Sequence, residues 1–511
     1  MKKLFVLGLL FVNGLVFSQS VSYDSSFGIN GKVLINKCIG GYVVGSIDLQ
    51  SDNKIVHGYG GYNNIYGFFS RTNSNGTLDT TFGDNGYYEL STNTTSVLQP
   101  DSNYTMVDLE VQNDNKIVSA GRRESLAAST FCISRLNLNG GLDTTFNGTG
   151  FLEVSFGTGA SRGNCMKIQN DGKILVGGKT GSSSEFFSIL RLNSAGTFDT
   201  SFGTLGKVQT PMIGQSLPYS IAIQTDGKIL MGGYVLNNPN GYDFALVRYL
   251  SNGTLDTTFG TNGIVITTIN TSYNDIIRKV LVQNDGKILV VGNNADGSGE
   301  SRVAMVRYLS TGAIDTTFAT NGVYISDYYG ASFDAELQID GKIVVSGYSF
   351  QVNKYVFSVF RYLSNGTLDI DFVNSNVSFP FDGETNNIAF SILIQPDNKI
   401  IAGGENHIDE SCQVILGALV RLNPGTLSTN EFNDNEVLVY PNPTSSFVGF
   451  DNSVNQFTKA KLFNYLGQEV ALQSLNSSSE EQIDISSFAN GVYLLKLSNE
   501  TSNTTVKVVK K

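Results

Sequence analysis

Two histidines, four cysteines and a surplus of carboxylates are the residues with which this chain of 511 could do chemistry. His57 and His407 lie far apart, and neither belongs to an H-E-x-x-H or comparable metal-ligand pattern. Cys38, Cys132, Cys165 and Cys412 form no C-x-x-C pair, and with so few histidines no zinc site is expected. There is no G-x-S-x-G elbow and no phosphate-cradling loop. Gly-rich pieces such as Gly58-Tyr59-Gly60-Gly61 read as loop ends rather than a dinucleotide fingerprint. No catalytic constellation and no cofactor are expected. Carboxylates are plentiful, with 45 Asp and Glu against 34 Lys and Arg, and a pair converging on one cavity would suit glycosidase chemistry. The loop Asn294-Ala295-Asp296-Gly297-Ser298-Gly299-Glu300 offers oxygen ligands for Ca²⁺, but it lacks EF-hand spacing and reads as a solvated turn.

The elements that must position these residues form a repeat. Seven times the chain runs through a D-x-x-F turn, a strand, a strand ending in Q-x-D-x-K, another strand, and a strand ending in Arg. The aspartates are Asp24, Asp79, Asp143, Asp199, Asp256, Asp315 and Asp369, spaced from 54 residues (Asp315 to Asp369) to 64 (Asp79 to Asp143). The phenylalanines Phe27 to Phe372, the lysines Lys54 to Lys399 and the arginines Arg71 to Arg421 form parallel series. Residues 254–310 show the unit, with strands expected at 264–269, 276–283, 288–292 and 303–309. Between the middle two, Asn284-Asp285-Gly286-Lys287 reads as a type I′ hairpin turn. Nothing in the unit has helical period.

A four-stranded sheet that is apolar on both faces must pack on neighbours. Seven of them stacked radially close a ring and leave few exposed edges. The expected fold is all-β: a seven-bladed β-propeller with four antiparallel strands per blade, then a small C-terminal β-sandwich. An open β-solenoid is the alternative. Seven copies of one residue serve seven equivalent positions, so the shared Asp, Phe, Lys and Arg read as framework; an active site would break that symmetry.

The chain opens with Met1-Lys2-Lys3 and an apolar run to Phe17, the pattern of a secretory signal peptide with cleavage after Ser18. The run is too short to span a membrane, and no transmembrane segment is expected after its removal. The formal charge is −11, and losing Lys2 and Lys3 makes it two units more negative. With no basic cluster, nucleic acid is not an expected partner. The expected organisation is a signal peptide at 1–18, a propeller at 19–425, an Asn-rich linker at 426–436 and a terminal module at 437–511. That module, with short alternating strands such as Gly491-Val492-Tyr493-Leu494-Leu495-Lys496-Leu497, suits a small sandwich.

The recurring L-D-T-T-F-G-x-x-G, Q-x-D-G-K-I and R-Y-L-S-N-G pieces, over about residues 22–425, resemble the delta-60 repeat family of bacterial surface proteins. The resemblance implies a propeller and no catalytic chemistry. Tyr440-Pro441-Asn442-Pro443, the stretch from Leu462 to Val470, Gly491-Val492-Tyr493-Leu494-Leu495 and the Lys-terminated end resemble the type A sorting domain of the type IX secretion system. That resemblance implies handling by the type IX machinery, removal of the module, and release or attachment outside the cell. An accessory carbohydrate-binding sandwich is the other reading of the module.

By analogy with WD-repeat propellers, the strand before Q-x-D-x-K is innermost and the strand after D-x-x-F is outermost, in the preceding blade. Irregular loops at 57–66, 177–185, 234–242 and 403–411 then share one face. Loops on a rigid scaffold carry function, and Tyr62, Tyr66, Tyr234 and Tyr242 are the candidate ligand contacts there, suited to stacking on sugars. The first D-x-x-F copy has no preceding blade, so residues 32–36 should complete the seventh beside 414–421. Cys38 and Cys412 flank those strands and are a candidate disulfide; two unrelated thiols is the other reading. The expected function is an exported, non-enzymatic binding or adhesion protein whose ligand is a glycan or an extracellular protein. The alternative is a secreted carbohydrate-active enzyme on a propeller scaffold.

Overall fold

The computed structural model describes residues 21–511 except 36–41, 62–66, 91–102, 125–128, 158, 182–184, 238–240, 271–272, 297, 299, 352–353, 374–380, 382–385, 408–414, 424–436, 438, 454–456, 465–468, 477–479 and 500–502. The signal-peptide expectation, Tyr62, Tyr66, Cys38 and Cys412 lie outside the described residues. No helix among the described residues is long and apolar enough to cross a membrane. The chain divides into two compact units, Met1–Thr426 and Leu427–Lys511.

The first unit is a seven-bladed β-propeller. Blade 4 shows the plan: Ser216–Ile223 pairs with Ile229–Leu236, which pairs with Tyr242–Tyr249, which pairs with Ile264–Thr267, all antiparallel. The first strand of each blade packs on the first strand of the next, and Asn387–Ile394 of blade 7 packs on Tyr42–Leu49 of blade 1, closing the inner ring. The strand before Q-x-D-x-K is therefore innermost. Blade 7 is completed from the other end of the chain: Lys32–Ile35 pairs with Ile415–Asn423, Lys32 opposite Val420. The fourth, outer strand of this blade thus comes from the opposite end of the chain, which ties the ring shut and removes an exposed edge.

Each D-x-x-F phenylalanine is fully buried, and the six from Phe27 to Phe318 lie against the glycine turn of the next blade, as Phe202 does at Gly253. The closing arginine spans the same seam. Arg191 Nε donates to Asp199 Oδ2 at 2.8 Å, its guanidinium carbon sits 4.5 Å from the centre of the Phe202 ring, and Nη1 donates to Ser251 O of the next blade at 2.6 Å. Arg421 makes the same bonds with Asp24, Phe27 and Ser74 O, at 2.8, 4.4 and 2.6 Å, across the closure. The Q-x-D-x-K lysine adds a second cation to the same aspartate, Lys173 to Asp199 at 3.3 Å. The repeated polar residues are thus a blade-to-blade latch.

Two local expectations are corrected. The Asp285-Gly286 turn is not type I′: only Gly286 has positive φ, +81°, and Gly286 N–H donates to Gln283 O at 2.9 Å. This is a type I turn followed by a left-handed residue, because the Asp285 carboxylate caps Lys287 N–H at 3.1 Å and leaves Asp285 right-handed. The glycine runs are not loop ends either. Gly58 to Gly61 lie inside strand Ile55–Gly61, and Gly177 and Gly178 inside Ile174–Thr180.

The second unit is a β-sandwich. One sheet joins Val439–Tyr440, Phe447–Asp451 and Glu480–Asp484; the other joins Glu469–Ser474, Lys459–Phe463, Gly491–Ser498 and Asn503–Lys510. Alternating residues such as Phe450, Leu462, Leu495, Leu497 and Val508 fill its core.

Candidate functional site

Each inner strand carries a β-bulge at the same place. The unpaired residue is Gly45, Val107, Asn164, Tyr219, Arg278, Phe333 or Phe390, going round the ring. All seven line a central channel of about 1580 Å³. A bulge re-aims its extra residue, so the fold delivers six side chains and one glycine, Gly45, to one layer of the channel. The glycine opposite makes room. A Cβ on Gly233 would lie 2.0 Å from Leu217 O, and one on Gly292 2.0 Å from Ile276 O.

This layer does not repeat. On blades 4 to 7 it is Tyr219, Arg278, Phe333 and Phe390; on blades 1 to 3 it is small or uncharged. The Arg278 guanidinium carbon lies 4.5 Å from the centre of Tyr219 and 5.5 Å from that of Phe333. The aromatic series continues outward. Tyr219 reaches Tyr234 at 6.1 Å, and Tyr234 reaches Tyr242 at 4.4 Å. On the other side Phe333 meets Phe390 at 4.7 Å and Tyr348 at 6.2 Å, and Tyr348 meets Tyr355 at 4.5 Å. The result is an aromatic rim at the channel end opposite the Q-x-D-x-K turns. Of the candidate contacts read from the sequence, Tyr234 and Tyr242 join this rim, from the facing strands Ile229–Leu236 and Tyr242–Tyr249 rather than from a loop. The rim's other members were missed, although the fifth residue before each Q-x-D-x-K glutamine would have picked out Tyr219, Arg278, Phe333 and Phe390.

Deeper in the channel lie the converging carboxylates. Inner strands are edge strands with free N–H groups, and the carboxylates cap them across the seams. Val111 N–H donates to Asp48 Oδ2 at 2.6 Å, Met166 N–H to Asp108 Oδ2 at 2.9 Å, and Ile392 N–H to Asp334 Oδ2 at 3.1 Å. Glu110 receives Ile168 N–H at 2.6 Å and the Lys167 ammonium. Lys279 Nζ stands 2.8 Å from Asp334 and 3.2 Å from Glu336. Burial, and then the charge of Glu110, push Asp48 up to about 6 and Asp108 up to about 7.

A buried carboxylate with a raised pKa favours folding below its unfolded pKa and loses that contribution as pH rises through the folded value. Asp108→Asn removes the buried charge while keeping one acceptor oxygen. The variant is therefore expected to gain in urea midpoint over the parent at pH 8, and to lose that gain by pH 5. A pH-independent difference between the two would contradict the assignment.

The other chemistry-bearing residues do not converge. His57 is fully buried in blade 1 between Ser70 and Thr72, both at 3.2 Å, and burial lowers its pKa to about 3. His407 pairs with Glu405 at 2.8 Å. Cys132 and Cys165 are free and buried, and burial raises both thiols. The Asp296 carboxylate is engaged by its own turn, accepting Ser298 N–H at 2.9 Å and Glu300 N–H at 3.1 Å.

Fold and terminal module together define an exported β-propeller. The "Domain of unknown function (DUF5122) beta-propeller" model matches residues 50–82, 112–146, 169–202, 224–259, 283–318 and 338–372, and the "Secretion system C-terminal sorting domain" model matches 438–511. The chain is a DUF5122 β-propeller repeat protein with a type IX sorting tail. The tail directs it through the type IX system to the medium or the outer cell surface. Each repeat match runs from a Q-x-D-x-K glutamine to a D-x-x-F phenylalanine. The seventh such unit starts at Gln395 and ends at Phe27, across the ring closure, where a linear match cannot follow.

No curated protein matches the chain significantly. Solved structures show distant likeness. A protein of unknown function from Dyadobacter fermentans is 12% identical with a TM-score of 0.42, covering 77% of this chain and 98% of that one. The extracellular domain of a hybrid two-component system from B. thetaiotaomicron is 12% identical at 0.36, covering 92% and 56%. A PL25 ulvan lyase is 10% identical at 0.42, covering 73% and 93%. At these scores none carries an argument about this chain.

Proposed function

We propose that this exported propeller is a non-enzymatic binding protein that takes a glycan at the aromatic rim of its channel. The carrying observation is where the seven-fold symmetry breaks: the bulge layer places Tyr219, Phe333 and Phe390 beside Tyr234, Tyr242, Tyr348 and Tyr355. Aromatic faces around a polar cavity suit pyranose rings, and the channel exceeds the roughly 300–1,000 Å³ of a small-molecule pocket. Asp48, Asp108 and Asp334 are spent on the amides of neighbouring blades, a framework duty. Export in this reading begins with the leader at 1–18 and is completed through the tail.

A second reading, a carbohydrate-active enzyme, is favoured by one observation: Asp108, held at about 7, is tuned for general acid–base work at neutral pH. A panel of polysaccharides incubated with the full chain separates the two. Bound but uncut polymer is expected; oligosaccharide released by the parent and not by Asp108→Asn would establish the enzyme instead.

A further inference from the structure

Arg278 is the one charged residue of the bulge layer. Its guanidinium lies between the rings of Tyr219 and Phe333, at 4.5 and 5.5 Å, and its Nε is buried without a hydrogen-bond partner. Among the described residues no carboxylate pairs with it. The acids that could do so are engaged elsewhere. Asp334 and Glu336 face Lys279. On the rim side, Glu185 is held by Lys179 at 2.6 Å and by Ser216 N–H at 2.5 Å.

A stacked guanidinium is held flat, with its edge N–H groups free for a planar anion. Arg278 is half-buried, and at the mouth of an open channel a stacked cation without a partner is a ready receptor for such an anion.

We propose that Arg278 is an anion-selecting contact, and that the saccharide taken by the rim carries a negative group, a uronate carboxylate or a sulfate ester. The inference rests on the glycan reading and narrows its substrate class. The anion forms a two-pronged, charge-assisted pair with Arg278 while neighbouring sugar rings lie on Tyr234, Tyr242 and Tyr348. Lysine does not replace arginine here, because an ammonium has neither the plane that stacks nor the fork.

The test uses the full chain with polygalacturonate, its fully methyl-esterified form, κ-carrageenan and neutral galactan. Polygalacturonate or carrageenan is expected to bind, the two arms separating carboxylate from sulfate, and rising salt is expected to weaken binding. Esterification is expected to weaken polygalacturonate binding by about tenfold or more. Arg278→Gln and Arg278→Lys are each expected to produce the same loss, at an unchanged urea midpoint. The esterified polymer changes the ligand alone, so it decides the matter even if a variant misfolds. Equal binding of charged and neutral polymers, unaffected by Arg278→Gln, would overturn the anion inference and leave the glycan reading standing. Binding of none of the four polymers, nor of any polysaccharide in the wider panel, would overturn both and point to a protein ligand.

Discussion

Asp256→Ala is expected to cost the propeller about 3–5 kcal/mol, the usual effect of removing one partner from a buried ion pair. Asp256 is 4% exposed and sits at 2.9 Å from both Nε and Nη2 of Arg248. Burial alone would raise its pKa, but the Thr258 hydroxyl and amide, then Arg248 and Lys228, more than offset this and lower it. Without the carboxylate, Arg248 keeps its bond to Ser310 O in the next blade and its place 4.2 Å from Phe259, but its charge is stranded beneath the turn. Two blades therefore weaken together. Asp256→Asn keeps an acceptor for Thr258 and should cost less. The chain has 23 Tyr and no Trp, so tyrosine fluorescence in urea follows the unfolding. A midpoint for Asp256→Ala equal to the parent's would show that the latch is decorative. Depressed carboxylates of this kind stabilise above their unfolded pKa, about 3.9, and lose that effect as pH falls through the folded value. Acid should therefore release the latches.

Gly233→Ala is expected to be the second most damaging change, at about 1–3 kcal/mol or somewhat more. The new methyl would sit 2.0 Å from Leu217 O and 2.6 Å from Pro218 Cα, both backbone atoms that cannot swing away. Relief requires the two strands to part at the bulge, which displaces Tyr219 from the channel. Polysaccharide binding should fall with stability. Gly286→Ala is the comparison. Its methyl would meet nothing within 4 Å, but φ is +81°, so the cost is backbone strain of about 1 kcal/mol, with no effect on binding. If both variants lose equal stability and both keep binding, the bulge does not position the rim.

Much of this protein could be read from residues alone, for a physical reason. Seven copies of one unit state the same turn, strand and packing requirements seven times, so exceptions such as Leu205 at a left-handed position, φ 52°, do not obscure the pattern. The D-x-x-F aspartate, the closing arginine and the completion of blade 7 by Lys32–Ile35 followed from that repetition and from the need to leave no open edge. The terminal module was equally readable, because its motifs stand in order.

Repetition could not reveal what differs from blade to blade. Tyr219, Arg278, Phe333 and Phe390 come from four separate strands, and only ring closure sets them in one layer. Strict alternation would also misplace them, since the bulge puts two successive residues opposite one. The strand glycines read as loop ends in the sequence because their role, admitting a carbonyl at the bulge, belongs to a partner strand that local sequence does not contain. Carboxylates are too plentiful in the sequence to single out those that reach the channel, and the amides that neighbouring blades supply to most of them come from strands about 60 residues away. Sequence set the scaffold, through local rules repeated. The site arose from tertiary structure, because it is made where the repeats depart from one another and meet.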